Sequence, residues 1–342
     1  MKFVDRKHEQ ERLTRLLSGD VPAFAIIRGR RRVGKSTLIK RILKEADVYF
    51  EADRTDKETQ MSNLGYVLSH TFPGFNDAQY KDWRALLTAL NHRVTAKITL
   101  CLDEFPYLVE SDSSLPSVIQ NLLDSEELKY NIILCGSSQT MMYNLTHEQS
   151  SPLYGRKEAD FNIRPIKLPF LQEALGLTAE ETIENYAVWG GIPRYWRLRE
   201  SSASLMDSVN EHIMSTMGAL YEEPQSLFQD DFKDIVKTST IMTIVGGGAN
   251  RLKEIAGRCN EPATNLSRPL AKLIDLGYLE KDIPFGVSAK DTKKSLYRIA
   301  DPFLFFHYKF VPANRSFIEL GRTALINGIL ESRLPELTGY WW

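Results

Sequence analysis

Four residues near the start of the chain, Gly29, Gly34, Lys35 and Ser36, follow the spacing G-x-x-x-x-G-K-[ST]. Glycines at these positions let the backbone curl so that successive N–H groups point at a phosphate, and the helix that follows adds the positive end of its dipole. Lys35 would reach the outer phosphates, and the hydroxyl of Ser36 would bind magnesium. The pattern predicts a site for ATP and Mg²⁺ formed by Gly29, Arg30, Arg31, Arg32, Val33, Gly34, Lys35, Ser36 and Thr37.

The three arginines of this loop, Arg30, Arg31 and Arg32, occupy its variable positions. A run of charge is by default a solvated loop face. The alternatives are contact with a phosphate, with a protein partner or with DNA. Residue type alone does not decide among these roles, so all of them stay open.

A second candidate group follows the apolar stretch ITLCL, which ends in Asp103 and Glu104. In an ATP-hydrolysing enzyme, an acid at the tip of such a strand holds magnesium through its water shell, and this role falls to Asp103. The adjacent Glu104 can polarise the attacking water, which predicts hydrolysis and not binding alone. An acidic pair with a purely structural role is the alternative.

The stretch NIILCGSS places Ser137 and Ser138 at the end of another apolar run. Either hydroxyl could reach the terminal phosphate or the attacking water, and Ser137 is the predicted catalytic residue. Glycine and serine are also ordinary at the turn that ends a strand.

Arg156, in the stretch SPLYGRKEADFNIRP, is the remaining candidate catalytic residue. An arginine at this place could stabilise charge in the transition state, either in its own subunit or across a subunit interface. A plain surface arginine is the competing interpretation. Action across an interface would require a homo-oligomer.

Alternating strands and helices must position these residues. Apolar stretches at 24–28, 47–52, 98–104, 131–136 and 160–168 predict five strands, separated by helical stretches. Strand–helix alternation is typical of a parallel α/β sheet, and near-continuous apolar runs indicate strands covered on both faces. A helix is expected to start at about Lys35, and the strand at 47–52 is additional, lying in sequence between the phosphate-binding loop and the acidic strand.

The pattern then becomes helical, interrupted at GGIPRY and helical again over 202–221. Three helices within 232–277 and two strands, 278–283 and 295–300, follow in the order of a winged helix. We therefore predict a phosphate-binding domain at 1–168, a small helical lid domain at 169–224 and a winged-helix domain at 225–311. Residues 312–342 are predicted to form a helical tail, interpreted as the start of a further domain.

The composition indicates a soluble globular protein of more than one domain. The chain has 342 residues, 43% of them hydrophobic, with a net charge of −1, so any nucleic-acid contact must come from a local patch. No apolar run is long enough to span a bilayer, and the charged N-terminus lacks the core of a signal peptide. Three widely spaced cysteines, Cys101, Cys135 and Cys259, favour reduced thiols and a cytoplasmic location.

These motifs together resemble AAA+ ATPases and, more narrowly, the archaeal-type ATPase family, which is related to the STAND signal-transduction ATPases. The resemblance rests on FVDRKHEQERL, GRRRVGKSTLI, LCLDEF, ILCGSS, LYGRK, GGIPRY and LYRIADPFLFFHYKFV, which span residues 3 to 311. It implies that Arg6 lies in a segment near the adenine, and that Pro193 faces the nucleotide from the lid domain. Taken without the family, GGIPRY is a hinge or simple loop as readily as a nucleotide contact. Members of the family often continue into a nuclease-like domain.

The predicted winged helix carries a modest positive charge. Residues 251–294 contain nine basic and six acidic residues, an excess of three positive charges. The residues predicted to contact double-stranded DNA are Asn265, Arg268, Lys272, Lys293 and Lys294. Many winged helices only contact proteins, so a protein partner is the alternative.

Two functions are compatible with these patterns. The first is an ATP-hydrolysing switch in which nucleotide state moves the lid and winged helix. The second is a DNA-binding regulator in which ATP is a structural ligand without significant hydrolysis. A small-molecule kinase fits less well, because the Asp103–Glu104 pair suits water as the acceptor.

Overall fold

In the computed structural model, which describes residues 2–125, 127–283 and 295–342, the chain separates into two units. Residues 5–164 form the first, called here the sheet unit. Residues 165–342, with the N-terminal residues before Asp5, form the second, called here the helical unit. The division falls close to residue 168, the predicted end of the phosphate-binding domain. The further division into lid, winged helix and tail stays a prediction.

The sheet unit alternates strands with helices. Its elements are α1 (Lys7–Leu17), β1 (Phe24–Arg28), α2 (Lys35–Ile42), β2 (Val48–Glu51), α3 (Lys57–Ser69), α4 (Trp83–Arg93), β3 (Thr99–Asp103), α5 (Phe105–Ser111), α6 (Leu115–Leu123), β4 (Asn131–Gly136), α7 (Gln139–His147) and β5 (Ala159–Asn162). A short 3₁₀ helix lies at Phe75–Asp77. Side chains cap several helices: Asp56 accepts the backbone N–H of Thr59 at the start of α3, and Asp82 accepts that of Ala85 at the start of α4.

The five strands form one parallel sheet in the order β2-β3-β4-β1-β5. This confirms the predicted parallel α/β fold. The strand between β1 and β3 is β4, whereas the predicted additional strand at 47–52 is β2, which lies at the end of the sheet beside β3. The central strands are buried along their whole length, as their apolar runs predict. Phe24 and Ile26 of β1 join Leu100, Leu134 and helix residues such as Trp83 in one apolar core.

The fifth strand is shorter than predicted, since it ends at Asn162 and not at residue 168. Its ladder closes where the N–H of Ile163 donates to the carbonyl of Arg28 at 2.7 Å. Pro165 has no N–H with which to continue a ladder. The apolar alternation that suggested a longer strand runs on to Ile166, which is buried within the helical unit and bonds through its N–H to Gly191 at 2.7 Å.

The helical unit contains α8 (Leu168–Leu175), α9 (Ala179–Trp189), α10 (Pro193–Arg199), α11 (Leu205–His212), α12 (Glu223–Gln229), α13 (Ile235–Gly246), α14 (Leu252–Cys259), α15 (Ala263–Asp275), β6 (Leu279–Asp282), β7 (Leu296–Ile299), α16 (Pro302–Phe310), α17 (Arg315–Glu319) and α18 (Thr323–Trp341). A 3₁₀ helix lies at Pro312–Asn314. Strands β6 and β7 are antiparallel, with Leu279 opposite Ile299. Three helices followed by two strands is the predicted order, and the apolar side chains Leu266, Leu270 and Leu273 of α15 are buried.

The stretch 202–221, predicted to be helical, forms a helix only over Leu205–His212. Helix α11 ends at His212, and the chain then folds back so that the N–H of Leu220 donates to the carbonyl of His212 at 2.9 Å. Gly218 permits this return, because a Cβ there would lie 2.6 Å from the same carbonyl oxygen. None of the helices in the described ranges has the length and apolar character that crossing a bilayer requires.

Candidate nucleotide-binding site

The predicted site residues of the sheet unit gather where three neighbouring strands end. Strand β1 leads into the loop that begins at Gly29, β3 leads into Glu104, and β4 leads into Ser137. Because the strands are parallel and adjacent in the order β3-β4-β1, their carboxyl ends meet at one edge of the sheet. This edge is the usual binding position in open α/β sheets.

Glycine is needed at the two glycine positions of the phosphate-binding loop for different physical reasons. A Cβ at Gly29 would lie 2.3 Å from the carbonyl oxygen of Ile163, so only glycine fits against that backbone. Gly34 has a φ of 101° at the N-cap of α2, a conformation that favours glycine. The loop therefore turns directly into a helix N-terminus, as a phosphate site requires.

Lys35 is the first residue of α2 and is only 5% exposed. Its Nζ donates to the carbonyl oxygens of Gly29 at 2.9 Å and of Arg30 at 3.2 Å. These bonds account for two of the three donors of the ammonium group. The charge is thus held inside the loop that the sequence predicted as a phosphate cradle.

Ser36 and Asp103 are brought together from α2 and β3. The Ser36 hydroxyl donates to Oδ2 of Asp103 at 2.7 Å, and the hydroxyl of Tyr49 donates to the same oxygen at 2.5 Å. The backbone N–H of Glu104 donates to the other oxygen, Oδ1, at 2.9 Å. A hydroxyl and a carboxylate are the hard oxygen ligands that Mg²⁺ prefers, so this donor set fits the predicted metal.

The electrostatics of Asp103 favour its charged form. Burial, with 1% of the residue exposed, would raise the pKa of this carboxyl group, but hydrogen bonds from Cys135, Tyr49, Ser36 and the N–H of Glu104 outweigh burial and lower the pKa. Burial and the neighbouring Asp103 raise the pKa of Tyr49 far above its usual value. The phenol therefore acts as a donor to a carboxylate.

Glu104 and Ser137 form the second pair at this edge. One oxygen of Glu104, Oε2, accepts a hydrogen bond from the Ser137 hydroxyl at 2.9 Å and another from its backbone N–H at 3.2 Å. Ser138 has a different role, since its side chain caps α7 by accepting the N–H of Met141. The structure thus separates the two serines that the sequence left as alternatives.

The three loop arginines also separate. Arg30 is buried, with 5% of its surface exposed, whereas Arg31 and Arg32 are exposed. Arg32 has a φ of 67°, in the left-handed region. A solvated loop face therefore describes at most Arg31 and Arg32.

Arg6 lies against the phosphate-binding loop but binds backbone carbonyls. Its guanidinium group donates to Asp5 at 2.8 Å, to Val33 of the loop at 3.4 Å and to Arg164 at 2.5 Å. Burial lowers its pKa, and the charges of Asp5 and Glu9 oppose that effect. The predicted contact with nucleotide stays a prediction, and the structural contacts fix the loop to the end of the sheet unit.

Arg156 lies at the other end of the strands, beside the amino-terminal end of β5. It precedes β5, and the nearby Glu158 bonds to both the N–H and the carbonyl of Phe24, the first residue of β1. The five residues of β1 separate this end of the strands from the loop by about 16 Å. Arg156 forms a two-point ion pair with Asp124, with distances of 2.7 and 2.9 Å.

The remaining predicted residues belong to the helical unit. Pro193 is the first residue of α10, and the preceding Gly191 lies so close to Ile166 that a Cβ would be 2.1 Å from its carbonyl oxygen. Asn265 and Arg268 are exposed on α15, but Lys272 is half-buried and donates to the backbone carbonyl of Asp231. Lys293 and Lys294 lie outside the described residues.

Comparison with known proteins decides the family. Residues 3–197 match the sequence model of a family described as an ATPase domain predominantly from Archaea. The chain belongs to this family. The archaeal ATPase family implies nucleotide binding, and the predicted resemblance is confirmed.

This archaeal-family chain is also similar to one relative in sequence and to two solved structures in fold. It is 29% identical over 323 residues to the uncharacterized protein MJECL04 of Methanocaldococcus jannaschii, covering 93% of this chain and 71% of the relative. Its fold is similar to that of the Walker-type ATPase PABY2304 of Pyrococcus abyssi, with a TM-score of 0.68 and 19% identity over 90% of this chain and 96% of the other. The Aeropyrum pernix ORC2 protein, solved as ADPNP–ADP complexes, gives a TM-score of 0.59 and 16% identity over 94% and 96% of the two chains.

Sequence reasoning missed Tyr49, whose contact with Asp103 joins β2 to the site. The alternation in β2 places Tyr49 and Glu51 on one face, but the neighbour of that face depends on strand order. Glu51 is paired with Asp103 in register, which brings Tyr49 within reach. In the sequence, the only sign of this contact was that Tyr49 and Glu51 give β2 one polar face. The strand that packs beside that face could not be identified.

Proposed function

We propose that this archaeal-family ATPase binds and hydrolyses Mg-ATP and works as a nucleotide-dependent switch. The observation that carries the proposal is the pair of contacts at one sheet edge, Ser36 with Asp103 and Ser137 with Glu104, beside the buried Lys35. Together, these residues bring to one place a cation that can bind phosphate, oxygen ligands that can bind a metal, and a carboxylate that can accept a proton from water. A structural nucleotide site would need the first two but not the third.

The chain's residues divide the proposed work. Lys35 and the N–H groups at the start of α2 would bind phosphate, while Ser36 and Asp103 would hold Mg²⁺. When bound, Mg²⁺ would neutralise charge on the phosphate oxygens. Glu104 would accept a proton from the attacking water, and Ser137 would keep its carboxylate oriented.

The test compares wild type with Glu104→Gln. We expect the amide to bind ATP normally and to release phosphate at least about 100-fold more slowly, because it cannot accept a proton. Phosphate release and ATP affinity are measured on the same preparations. Glu110→Gln, which changes an exposed glutamate of α5, the helix that follows Glu104, is the matched control.

The outcomes separate the two candidate functions. Equal phosphate release by wild type and Glu104→Gln, with ATP still bound, would favour the alternative of a regulator with structural ATP. If Lys35→Ala bound ATP as tightly as wild type, the site assignment itself would be wrong.

We also propose that α15 contacts double-stranded DNA through Asn265 and Arg268. Both are exposed on one helix face, in the position of a recognition helix if the three helices and β6–β7 form a winged helix. Arg268→Ala should weaken duplex binding and reduce the slope of log affinity against log salt by about 1, because one phosphate contact is lost. Lys272→Met should leave that slope unchanged, since Lys272 bonds within the chain. A slope near zero for wild type would instead support a protein partner.

A further inference from the structure

Tyr49 reaches Asp103 from the neighbouring strand. In the β2–β3 register, Tyr49 is opposite Cys101, and Glu51 is opposite Asp103. Residues 49, 51, 101 and 103 therefore share one face of the sheet. From this position the Tyr49 hydroxyl extends along the strand and donates to Oδ2 of Asp103 at 2.5 Å.

We propose that Tyr49 is a positioning residue that fixes the orientation of the Asp103 carboxylate for metal binding. The inference rests on the proposed Mg-ATP site and names a residue that the motifs of that site do not contain. Tyr49 acts through Asp103 and needs no contact with nucleotide.

The distribution of donors around Asp103 supports this role. Oδ1 accepts the N–H of Glu104, while Oδ2 accepts both Ser36 and Tyr49. Cys135 also hydrogen-bonds to this carboxylate. An ionised carboxylate has about four lone-pair positions, so these four bonds set its plane and leave little rotational freedom. Groups that bond to metal-binding side chains orient them, and their loss typically lowers metal affinity about 10- to 100-fold.

The phenol ring is itself held in place. Nζ of Lys40 lies 4.4 Å from the centroid of the Tyr49 ring, as expected for a cation–π contact. Lys40 is on α2, the helix that begins at the phosphate-binding loop, whereas Tyr49 is on β2. The contact therefore joins the helix that carries Ser36 to the strand that supports Asp103.

The experiment measures ATP affinity as a function of Mg²⁺ concentration, with EDTA as the metal-free reference. For Tyr49→Phe we expect unchanged affinity in EDTA and an approximately 10-fold rise in the Mg²⁺ concentration that gives half of the metal-dependent gain. The melting temperature without nucleotide reports any purely structural effect. Tyr80→Phe removes a hydroxyl that bonds to the carbonyl of Phe75 in the same unit, and it should leave the Mg²⁺ dependence unchanged.

The results distinguish this inference from the proposed function. If Mg²⁺ does not strengthen ATP binding by wild type, the proposed function fails. If it does, and Tyr49→Phe has the wild-type Mg²⁺ dependence or loses affinity equally in EDTA, Tyr49 is not a positioning residue. Should Tyr49→Phe fail to fold, Lys40→Met decides: an approximately threefold rise in the Mg²⁺ requirement supports the inference, and no rise overturns it.

Discussion

Glu104 takes a left-handed backbone conformation, with a φ of 50° and a ψ of 41°, between β3 and α5. For a residue other than glycine this conformation costs about 1 kcal/mol. Here it accompanies a carboxylate that accepts two hydrogen bonds from Ser137. Strain of this kind is found where the backbone must direct a functional side chain, which agrees with a catalytic role for Glu104.

Ser137→Ala should lower the rate of phosphate release about 10-fold with little change in ATP affinity. The substitution removes the 2.9 Å bond to Glu104 but leaves the backbone N–H that also bonds to it. Phosphate release under saturating ATP measures the effect. Ser138→Ala is the contrasting variant, since the lost cap of α7 should cost about 1 kcal/mol of stability and leave the rate nearly unchanged. A Ser137→Ala rate at or above wild type would contradict the proposed role.

At the scale of elements, the sequence predicted which segments form the strands of the site, but it did not predict which strands lie next to each other. Apolar runs ending at Arg28, Asp103 and Gly136 identified three strand ends, because buried parallel strands leave a continuous apolar signal. Strand order has no local signal, so the contact of Tyr49 with Asp103 could not be predicted. The same limit explains the overlong fifth strand, in which the burial of Ile166 within the helical unit imitated a strand pattern.

Helix α16 contains a buried titratable group that makes a pH dependence testable. His307 bonds through Nε2 to the carbonyl of Tyr221 at 2.8 Å, and burial lowers its pKa from 6.5 to about 4. Between these values the unfolded chain binds a proton that the folded chain does not. The free energy of unfolding is therefore intact above pH 6.5 and falls as the pH drops toward 4, by up to about 3 kcal/mol.

Denaturant unfolding at pH 7 and pH 5 checks this expectation. His307→Gln keeps a donor near Tyr221 but does not titrate, so it should lose less stability than wild type between the two pH values. An equal loss in both proteins would show that other groups cause the acid sensitivity.

At the scale of the whole molecule, Arg156 is the residue whose position changes the interpretation most. The sequence left action within one subunit and action across an interface open. The sheet places Arg156 at the edge opposite to Lys35, Asp103 and Glu104 in the same chain. A catalytic role for this arginine therefore requires a second copy.

A mixing experiment tests the second copy. Arg156→Ala and Lys35→Ala should each be nearly inactive alone, with a loss of about 10³-fold expected for an arginine that acts on the transition state. Mixed together, they should recover phosphate release, because a Lys35-containing site can receive Arg156 from the other variant. Lys35→Ala mixed with Glu104→Gln should not recover, since both changes affect the same side of the site. Full activity of Arg156→Ala would remove the argument for an oligomer.

Contacts just after β5 connect the phosphate-binding loop to the point where the chain leaves the sheet unit. The carbonyl of Ile163 lies against Gly29, and Arg6 bonds to the carbonyls of both Val33 and Arg164. The start and the middle of the phosphate-binding loop are thus tied to the last two residues before the chain leaves the sheet unit. If a ligand displaced the loop, these contacts would displace Ile163 and Arg164 with it. The apolar core of the sheet would not have to deform.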